Sequence, residues 1–299
     1  MRVVVTGGAG SLGRFVVDEL IHPTGGGPGH QVTVFGRTGS DFPSGVGPDG
    51  VRHVRGDVRD LGQVYGALHG ADAVIHLAAI RRPGITPDEV VFGTNVMGTF
   101  NVHEAAWRLG IRRVISTSSE AALGWEYAVH PAVPDYLPID EDHPARPQDP
   151  YGLSKVAGEA IARSYAARGL EAIVLRPPWV VLPDAMANLR ASGGRATSRS
   201  LLASYVDVRD LAEAYRLALE APAGRVAGCP VLFVVADDSA LAEPLATYVR
   251  RMLPAIGSLA DALTGGRPAV SNARANEILG WRPRRSWRRP PAAGDGEEA

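Results

Sequence analysis

The sequence predicts an α/β fold, with a doubly wound parallel sheet and a small C-terminal substrate-binding lobe. Short β-branched runs alternate with longer helical patterns as far as Arg176, and strands separated by helices favour a parallel sheet covered on both faces. A glycine-rich turn follows the first of these strands directly. Beyond Arg176 the remaining segments are short, which indicates that the lobe follows the sheet.

Composition and charge exclude several classes of protein. The chain has 299 residues, 45% of them hydrophobic and 21% charged, enough to bury a substantial core. Because the formal net charge is -1, no overall field favours nucleic acid or an anionic membrane. The single cysteine, Cys229, excludes an internal disulfide, and no Cys/His cluster has metal-ligand spacing. Without a signal-peptide pattern or a membrane-length apolar run, we expect a cytoplasmic protein with no bound metal.

Six strands are predicted by short apolar runs, at residues 3–6, 31–35, 51–56, 73–78, 112–117 and 171–176. Helical patterns predict helices over about 87–109, 151–168 and 208–220. Gly169 follows the second of these helices and is the predicted C-terminal stop. The polar, Gly- and Ser-containing stretch 183–200 predicts a mobile loop.

The first strand runs into the stretch "TGGAGSLG". Gly7, Gly10 and Gly13 fit GxxGxxG, whereas Gly8, Gly10 and Gly13 fit GxGxxG. Glycines here permit a tight turn and let the backbone and the next helix's N–H groups approach a pyrophosphate. Because the motif lies between a strand and a helix, it predicts a Rossmann-type dinucleotide-binding domain rather than a plain structural turn.

The end of the second strand, "VFGRTGS", bears on the choice of dinucleotide. An NAD-preferring site usually offers an acidic residue to the adenosine ribose, but here Gly36 and Arg37 take that place. A guanidinium can bind a 2′-phosphate through two hydrogen bonds, so NADP is favoured over NAD. An arginine at a strand end is also a common solvated residue. Asp57, in "RGDVRD", either accepts from the adenine amino group or caps a turn.

Lys155 is the only lysine among 31 Lys and Arg residues. It follows Tyr151 by four positions, so both side chains lie on one face of a helix. A nearby ammonium favours the phenolate form of a tyrosine, and an ammonium is compact where a guanidinium is a rigid fork. The pair predicts that Lys155 tunes Tyr151 and binds the nicotinamide ribose while Tyr151 moves a proton. The alternative is a surface lysine retained by chance.

Together these stretches resemble the extended short-chain dehydrogenase/reductases, the NAD(P)-dependent epimerase/dehydratase family, over nearly the whole chain. The stretches that carry the resemblance are, besides the glycine turn, "GDVRD", "HLAA" at 76–79, "NVMGTFNVHEAA", "STSSEAALG", "YGLSK", "LRPP", "YVDVRDLAEA" and "ANEILGWRPRRSW". The family often has Tyr-Gly after its serine and again after "RP". This chain has "LG" at 123–124 and "WVVLP" at 179–183 instead.

The resemblance implies roles for individual residues. The family's catalytic serine falls on Ser119, with Ser118 as the fallback, and a hydroxyl there would stabilise charge on the substrate oxygen. Asn95 matches the asparagine that holds a water near the lysine, and completes a catalytic set of Ser119, Tyr151, Lys155 and Asn95. The expected cofactor-binding residues are Gly7, Gly10, Ser11, Leu12, Gly13, Arg37, Asp57, Val58, Leu77, Ala78, Ala79, Lys155 and Pro177. The expected substrate-binding residues are Ser119, Glu120, Tyr151, Trp179 and Arg190.

We therefore expect an NAD(P)-dependent oxidoreductase that transfers hydride at a carbinol or carbonyl carbon of a sugar-like or other small molecule, with Tyr151 as acid/base. The short segment after Arg176 favours a substrate smaller than a whole nucleotide sugar, and arginines at 176, 190, 195, 199 and 209 could bind its carboxylate or phosphate. A sugar or nucleotide-sugar epimerase/dehydratase is the alternative, and a non-catalytic dinucleotide-binding regulator is more remote. Glu120 lacks a preceding Asp, which argues against the dehydratase branch.

The predicted domain division places the Rossmann domain at 1–178, with 201–220 returning to it. The substrate-binding lobe takes 179–200 and 221–289, and 290–299 is a disordered tail. A homodimer is expected because the resembled family pairs the helices at about 87–109 and 151–168 with their symmetry mates. Val91, Val102 and Trp107 are the expected outward positions, unless those residues face the sheet instead.

Overall fold

A computed structural model describes residues 1–37, 45–46, 50–195 and 202–290, with only the backbone described at 45–46. The strands of this part are β1 (Arg2–Thr6), β2 (Gln31–Gly36), β3 (Gly45–Val46), β4 (Arg52–Arg55), β5 (Ala73–His76), β6 (Arg113–Thr117), β7 (Glu171–Arg176), β8 (Trp179–Val181), β9 (Tyr205–Asp207) and β10 (Val231–Phe233). The α-helices are α1 (Gly13–Ile21), α2 (Leu61–Leu68), α3 (Asp88–Arg108), α4 (Pro150–Ala166), α5 (Pro183–Ala191), α6 (Val208–Glu220), α7 (Leu245–Met252) and α8 (Ala273–Leu279).

The main sheet has the order β10-β7-β6-β5-β1-β2-β4-β3. Its first seven strands in this order are parallel, and β3 pairs antiparallel with β4 at the edge. The chain order reverses between β1 and β5, which is where open α/β sheets bind ligands. All six predicted strands are present, and β8 and β9 form a separate parallel pair.

Helices cover both faces of the sheet because alternate strand residues point to opposite sides. From β1, Val3 and Val5 join a core cluster with apolar residues of α1, α6 and α8. Val4 joins another cluster on the opposite face, with α2, α3 and α4. The Rossmann-type prediction is confirmed by this doubly wound arrangement.

The three predicted helices appear as α3, α4 and α6. Helix α4 begins with Asp149 accepting a hydrogen bond from the Gly152 amide and with Pro150 in its first turn, a position where proline costs no hydrogen bond. Gly169 takes a φ of 95°, consistent with the predicted stop. The loop predicted over 183–200 is wrong for residues 183–191, where α5 buries Met186 and Leu189, three positions apart. Residues 196–200 lie outside the described ranges.

A further core cluster lies beyond the sheet, among α7, the 3-10 segment Pro254–Ala262 and the chain near Ala269. The cluster includes Leu123, Trp125 and Ile139, so residues numbered below 178 also contribute to it. Conversely, β10 lies within 221–289 and pairs with β7 in the main sheet. The exact domain division stays a prediction. Residues 291–299, and with them most of the predicted tail, lie outside the described residues.

The described residues contain neither a membrane-spanning helix nor a cluster of metal ligands. No helix there is long and apolar enough to cross a membrane. No group of three or more His, Cys, Asp or Glu side chains there could hold a metal ion.

Candidate active site

A cleft of about 830 Å³ opens over the carboxyl ends of the central strands. Every residue predicted to bind the cofactor lines this cleft, as do Ser119, Glu120, Tyr151 and Trp179. Asn95 and Arg190 are not among its lining residues. The strand order explains the convergence, because the turns after β1, β2, β5 and β6 emerge at one edge of the sheet.

The glycine turn fits a phosphate-bearing ligand through Gly7, Gly10 and Gly13, which line the cleft, whereas Gly8 does not. Gly7 has a φ of 72°, and a Cβ there would lie 2.8 Å from the Ala78 amide nitrogen. A Cβ on Gly13 would lie 2.3 Å from the Gly7 carbonyl oxygen. Side chains would therefore fill this concave turn, and the N-terminus of α1 opens onto it, as a pyrophosphate requires. The GxxGxxG alignment matches this geometry.

Arg37 and Asp57 line the cleft together at the ends of β2 and β4. The Asp57 carboxylate accepts from the backbone amide of Arg59 at 2.9 Å and from its guanidinium at 2.7 Å. The Arg59 hydrogen bond lowers the pKa of Asp57. Arg37 lies 3.9 Å from the same carboxylate and is largely exposed. Asp57 thus caps a turn in this structure while also facing the cleft.

Helix α4 approaches the end of β6 closely because of Gly152. A Cβ at this position would lie 2.5 Å from the Ala121 carbonyl oxygen, so only glycine fits against the 3-10 turn Glu120–Leu123. Ser119 caps that turn, with its Oγ accepting from the Ala121 amide at 3.2 Å. The contact brings Tyr151 and Ser119 to the same part of the cleft.

Tyr151 is buried, 8% exposed. Burial raises the pKa of its hydroxyl, and a hydrogen bond from Ser119 opposes that shift. The neighbouring Ser118 turns the other way and donates to Glu159 at 2.7 Å. The geometry therefore pairs Ser119, rather than the fallback Ser118, with Tyr151.

Lys155 is equally buried, and its Nζ donates to the Thr117 carbonyl oxygen at 2.9 Å. Nζ lies 5.4 Å from the centre of the Tyr151 ring. Burial lowers the pKa of Lys155 to about 8, against the opposing charge of Glu159. Burial is the largest influence on the pKa of Tyr151 and raises it, so the tuning of Tyr151 by Lys155 stays a prediction. The alternative of a chance surface lysine is wrong, because Lys155 is buried.

Asn95 lies behind the cleft rather than in it. Its Oδ1 accepts from the Ile80 amide at 2.8 Å, and its Nδ2 donates to the Ile80 carbonyl and to Ser154 Oγ, both at 3.0 Å. With Lys155 it borders a polar cavity of about 10 Å³, close to the smallest volume that holds a water. Asn95 thus ties the loop after β5 to α4 beside the lysine.

The far end of the cleft contains Trp179, with the Arg195 guanidinium 4.0 Å from the centre of its ring. Arg190 points elsewhere, because α5 directs its Nη2 to the Ser286 carbonyl at 3.3 Å. Its predicted contact with substrate is therefore not supported. Arg176 pairs with Glu159 and Arg209 with Asp207, and neither arginine lines the cleft. Arg199 lies outside the described residues.

Sequence reasoning missed several cleft residues, among them Arg81, Arg82, Glu126 and Tyr127. Tyr127 meets Tyr151 edge to face, with ring centres 6.2 Å apart. The stretch "GWEY" at 124–127 carries aromatic and acidic side chains directly after the serine segment. That proximity in sequence was the available signal.

Comparisons with known proteins agree with this geometry. Residues 3–231 match the model of the NAD dependent epimerase/dehydratase family. The chain is 30% identical to a UDP-glucose 4-epimerase of Streptomyces lividans, over 95% of this chain and 92% of that protein. It is 32% identical to an L-arabinose 1-dehydrogenase (NAD(P)(+)) of Haloferax volcanii, over 74% of this chain and 83% of that protein.

A solved structure is similar over nearly the whole fold. It is a short-chain dehydrogenase/reductase superfamily protein from Agrobacterium tumefaciens with bound NAD, 25% identical, with a TM-score of 0.70 over 96% of this chain and 94% of that one. Together with the cleft, these matches confirm the resemblance inferred from the motifs. The chain therefore belongs to the NAD dependent epimerase/dehydratase family and is an enzyme that uses a nicotinamide dinucleotide.

Proposed function

We propose that the protein is an oxidoreductase of a sugar-like small molecule, with Ser119, Tyr151 and Lys155 as its chemical groups. The observation that carries the proposal is that these three side chains line one cleft with the glycine turn. The bound dinucleotide supplies the hydride donor or acceptor. The chain supplies proton transfer, orientation and a site withdrawn from water.

Each of the three side chains has a distinct role in this proposal. Ser119 donates to the substrate oxygen and holds it beside Tyr151. The Tyr151 hydroxyl gives a proton to that oxygen in reduction and takes it back in oxidation. Its raised pKa keeps it protonated at neutral pH, the form that donates to an oxygen gaining negative charge. Lys155, anchored on the Thr117 carbonyl, presents its ammonium to the nicotinamide ribose.

Arg195 is proposed to bind an anionic group of the substrate. Of the arginines that the sequence offered for this purpose, it is the one among the described residues that lines the cleft, and its stacking on Trp179 orients the guanidinium. A substrate panel tests this, with L-arabinose, a uronate and a UDP-sugar as members. Arg195→Ala should raise the KM for the anionic substrates and leave that for L-arabinose little changed. Equal effects on all three would contradict the assignment.

NADP is proposed as the preferred dinucleotide. Arg37 lines the cleft where the adenosine ribose would lie, and Gly36 stands where an NAD-preferring site usually has an acidic residue. Arg37→Ala should weaken NADP binding by roughly 1.5–3 kcal/mol, the range of a charge-assisted hydrogen bond, and NAD binding by less. Calorimetry with both dinucleotides measures the difference. Equal losses would favour NAD and a solvated Arg37.

An epimerase is the second candidate, favoured by the match to a UDP-glucose 4-epimerase along almost the whole of both chains. An epimerase returns the hydride to its substrate, so the nicotinamide absorbance would show no net change while the product changes configuration. A dehydrogenase changes that absorbance in proportion to turnover. Product analysis beside the absorbance separates the two.

A homodimer is proposed that pairs through α3, but through a different face of this helix from the one expected from the sequence. Val91 and Val102, two of the expected outward residues, are buried in the core, since α3 turns them toward its neighbours in the fold. Trp107, the third expected residue, is exposed. It forms an apolar stripe on α3 with Val90, Met97 and Phe100, and the adjacent α4 adds Leu153. Leu153 lies opposite the Tyr151 and Lys155 face of α4, so a partner on this stripe leaves the cleft open.

A cytoplasmic location remains part of the proposal. Its support is the single cysteine, Cys229, which is buried and has no second cysteine to pair with, as is usual in a reducing compartment. Fractionation of the producing cell tests it.

A further inference from the structure

Helix α4 carries a second buried charge behind the Tyr151 and Lys155 face. Glu159 follows Lys155 by four residues, so the two side chains are neighbours on the helix. Its side chain is 3% exposed. A buried carboxylate is costly unless it is paired, and the roles proposed above give this one no part in the reaction.

Three elements meet at this carboxylate. Oε1 accepts from Ser118 Oγ at 2.7 Å and from Arg176 Nε at 2.6 Å. Oε2 accepts from Arg176 Nη2 at 2.8 Å and from Arg163 Nη2 at 3.2 Å. Ser118 directly follows β6, and Arg176 ends β7. Glu159 therefore joins α4 to the carboxyl ends of two central strands.

The joined strand ends carry groups of the active site. Ser118 lies between Thr117, whose carbonyl accepts from Lys155, and Ser119, which faces Tyr151. Arg176 precedes Pro177, whose carbonyl accepts from the Glu120 amide at 3.0 Å. A shift of Glu159 would consequently move both the oxygen that anchors Lys155 and the turn that presents Ser119.

We propose that Glu159 is a positioning residue for the reaction: it holds the ends of β6 and β7 against α4, and it supplies a negative charge beside the small cavity that it borders together with Lys155. The inference rests on the proposed function, because it gives Lys155 a cofactor ribose to bind. It extends that function to a side chain outside the main cleft. The carboxylate acts through Lys155 and Ser119 and touches neither substrate nor dinucleotide.

Among the titratable groups around Lys155, Glu159 is the one whose charge raises the pKa of Lys155. Tyr151 on α4 and His76 on β5 also lie near Lys155, whereas His103 on α3 acts on His76 and Arg176 on β7 binds Glu159. Burial lowers the pKa of His76 to about 3 and that of His103 to about 4, so both are neutral. Burial opposes ionisation of Glu159, but the Arg176 hydrogen bond and charge outweigh it and lower its pKa. The ionised Glu159 in turn raises the pKa of Lys155 against burial.

The test is the affinity for NADP, and in parallel NAD, measured by calorimetry from about pH 6 to pH 10. The wild-type affinity should fall as the pH rises through about 8, where Lys155 loses its proton. In Glu159→Gln the midpoint of that fall should move down by about one pH unit, as expected for losing a neighbouring charge. Arg163→Gln removes an exposed partner of Glu159 but leaves the negative charge of Glu159 in place. The midpoint of this control variant should therefore be unchanged.

The outcomes separate this proposal from the function on which it rests. A wild-type affinity that is flat across the range contradicts the ribose role of Lys155, and this proposal with it. A wild-type midpoint that Glu159→Gln leaves unchanged overturns the role of Glu159 alone. If Arg176, left without its carboxylate, prevents Glu159→Gln from folding, the double variant Glu159→Gln/Arg176→Gln removes both buried charges. Its midpoint should lie below that of Arg176→Gln, in which Glu159 keeps its charge, and equal midpoints in these two folded variants overturn the proposal.

Discussion

Lys155 illustrates at the residue scale how burial sets the chemistry of the site. Its ammonium is withdrawn from water, bound to the Thr117 carbonyl, and held 5.4 Å from the Tyr151 ring. A compact cation can occupy this space and still offer hydrogen atoms to a ligand. A guanidinium carries the same charge on a longer, planar fork that the Thr117 contact does not accommodate.

Lys155→Arg should consequently fold but lose most of its turnover and bind dinucleotide more weakly. Circular dichroism checks the fold, and kcat with dinucleotide affinity checks the function. The control is Arg112→Lys, the opposite exchange at an exposed site. It should change neither turnover nor dinucleotide affinity appreciably. Near-normal turnover of Lys155→Arg would contradict the role given to the ammonium.

The depressed pKa of Lys155 also predicts a pH dependence of stability. Between pH 8 and 10.5, the ordinary pKa of a lysine, the unfolded chain keeps the Lys155 proton while the folded chain releases it. The unfolded state then binds more protons, so this group makes the free energy of unfolding rise with pH across that window. The difference in stability between wild type and Lys155→Met should therefore grow in favour of wild type from pH 8 to about pH 10. A constant difference in urea unfolding would contradict the shift.

Sequence predicted individual residues best where a motif fixes both identity and spacing. The glycine turn and the Tyr151–Lys155 pair lie in one cleft, as their spacing implied. Arg190 could not be placed in advance, since its direction depends on how α5 packs. The pKa of Tyr151 was likewise beyond sequence, because burial in the final fold sets it.

At the element scale, α4 determines the geometry of the site. It brings Tyr151 and Lys155 into the cleft on one face, exposes Leu153 on the opposite face, and rests on the turn after β6 at Gly152. Helix α3 packs beside it and provides Asn95 to fix the loop after β5. The position of the reactive groups therefore depends on close packing of these helices with the strand ends.

Gly152→Ala tests that dependence. Its Cβ would lie 2.5 Å from the Ala121 carbonyl oxygen, and such overpacking costs roughly 1–3 kcal/mol. Turnover should fall with stability, because α4 must move away from Ser119. Gly158→Ala on the same helix is the matched control: its Cβ would meet Thr99 at an ordinary 3.6 Å, so it should be neutral or stabilise by about 0.4–1 kcal/mol. Equal stability of the two variants in urea unfolding would contradict the close contact.

Helices and strands with a clear period were predictable, but their rotation and the irregular lobe were not. The pattern of α3 located the helix, yet it did not distinguish Val90 from Val91, one of which faces outward and the other the core. Helix α5 was missed because its 9 residues include only two buried apolar side chains in a polar stretch. Packing partners distant in sequence decide both features.

For the whole molecule, the exposed stripe on α3 and α4 sets an expectation for assembly. Met97 is 46% exposed and Phe100 is 39% exposed, side by side with the other apolar residues of the stripe. Apolar patches of this kind commonly mark interfaces, and a two-fold pairing would bring each stripe onto its own copy.

Met97→Glu/Phe100→Glu should convert a dimer into a monomer, because four charges would be buried at a two-fold interface. Light scattering at micromolar concentration measures the change. Met252→Glu, which alters an exposed apolar residue at the end of α7, should leave the assembly unchanged. A wild-type monomer with full activity would remove the homodimer from the account.

The central claim is that Tyr151 transfers a proton in a dinucleotide-dependent reaction, and Tyr151→Phe tests it most directly. The substitution removes one oxygen and leaves the buried ring. Nicotinamide absorbance should be followed with the sugar-like substrate panel while calorimetry measures dinucleotide binding by the same samples. The account predicts a dinucleotide affinity close to that of wild type and a kcat lower by about 10²–10⁴-fold, the usual contribution of a positioned acid or base. Turnover by Tyr151→Phe equal to that of wild type would contradict it.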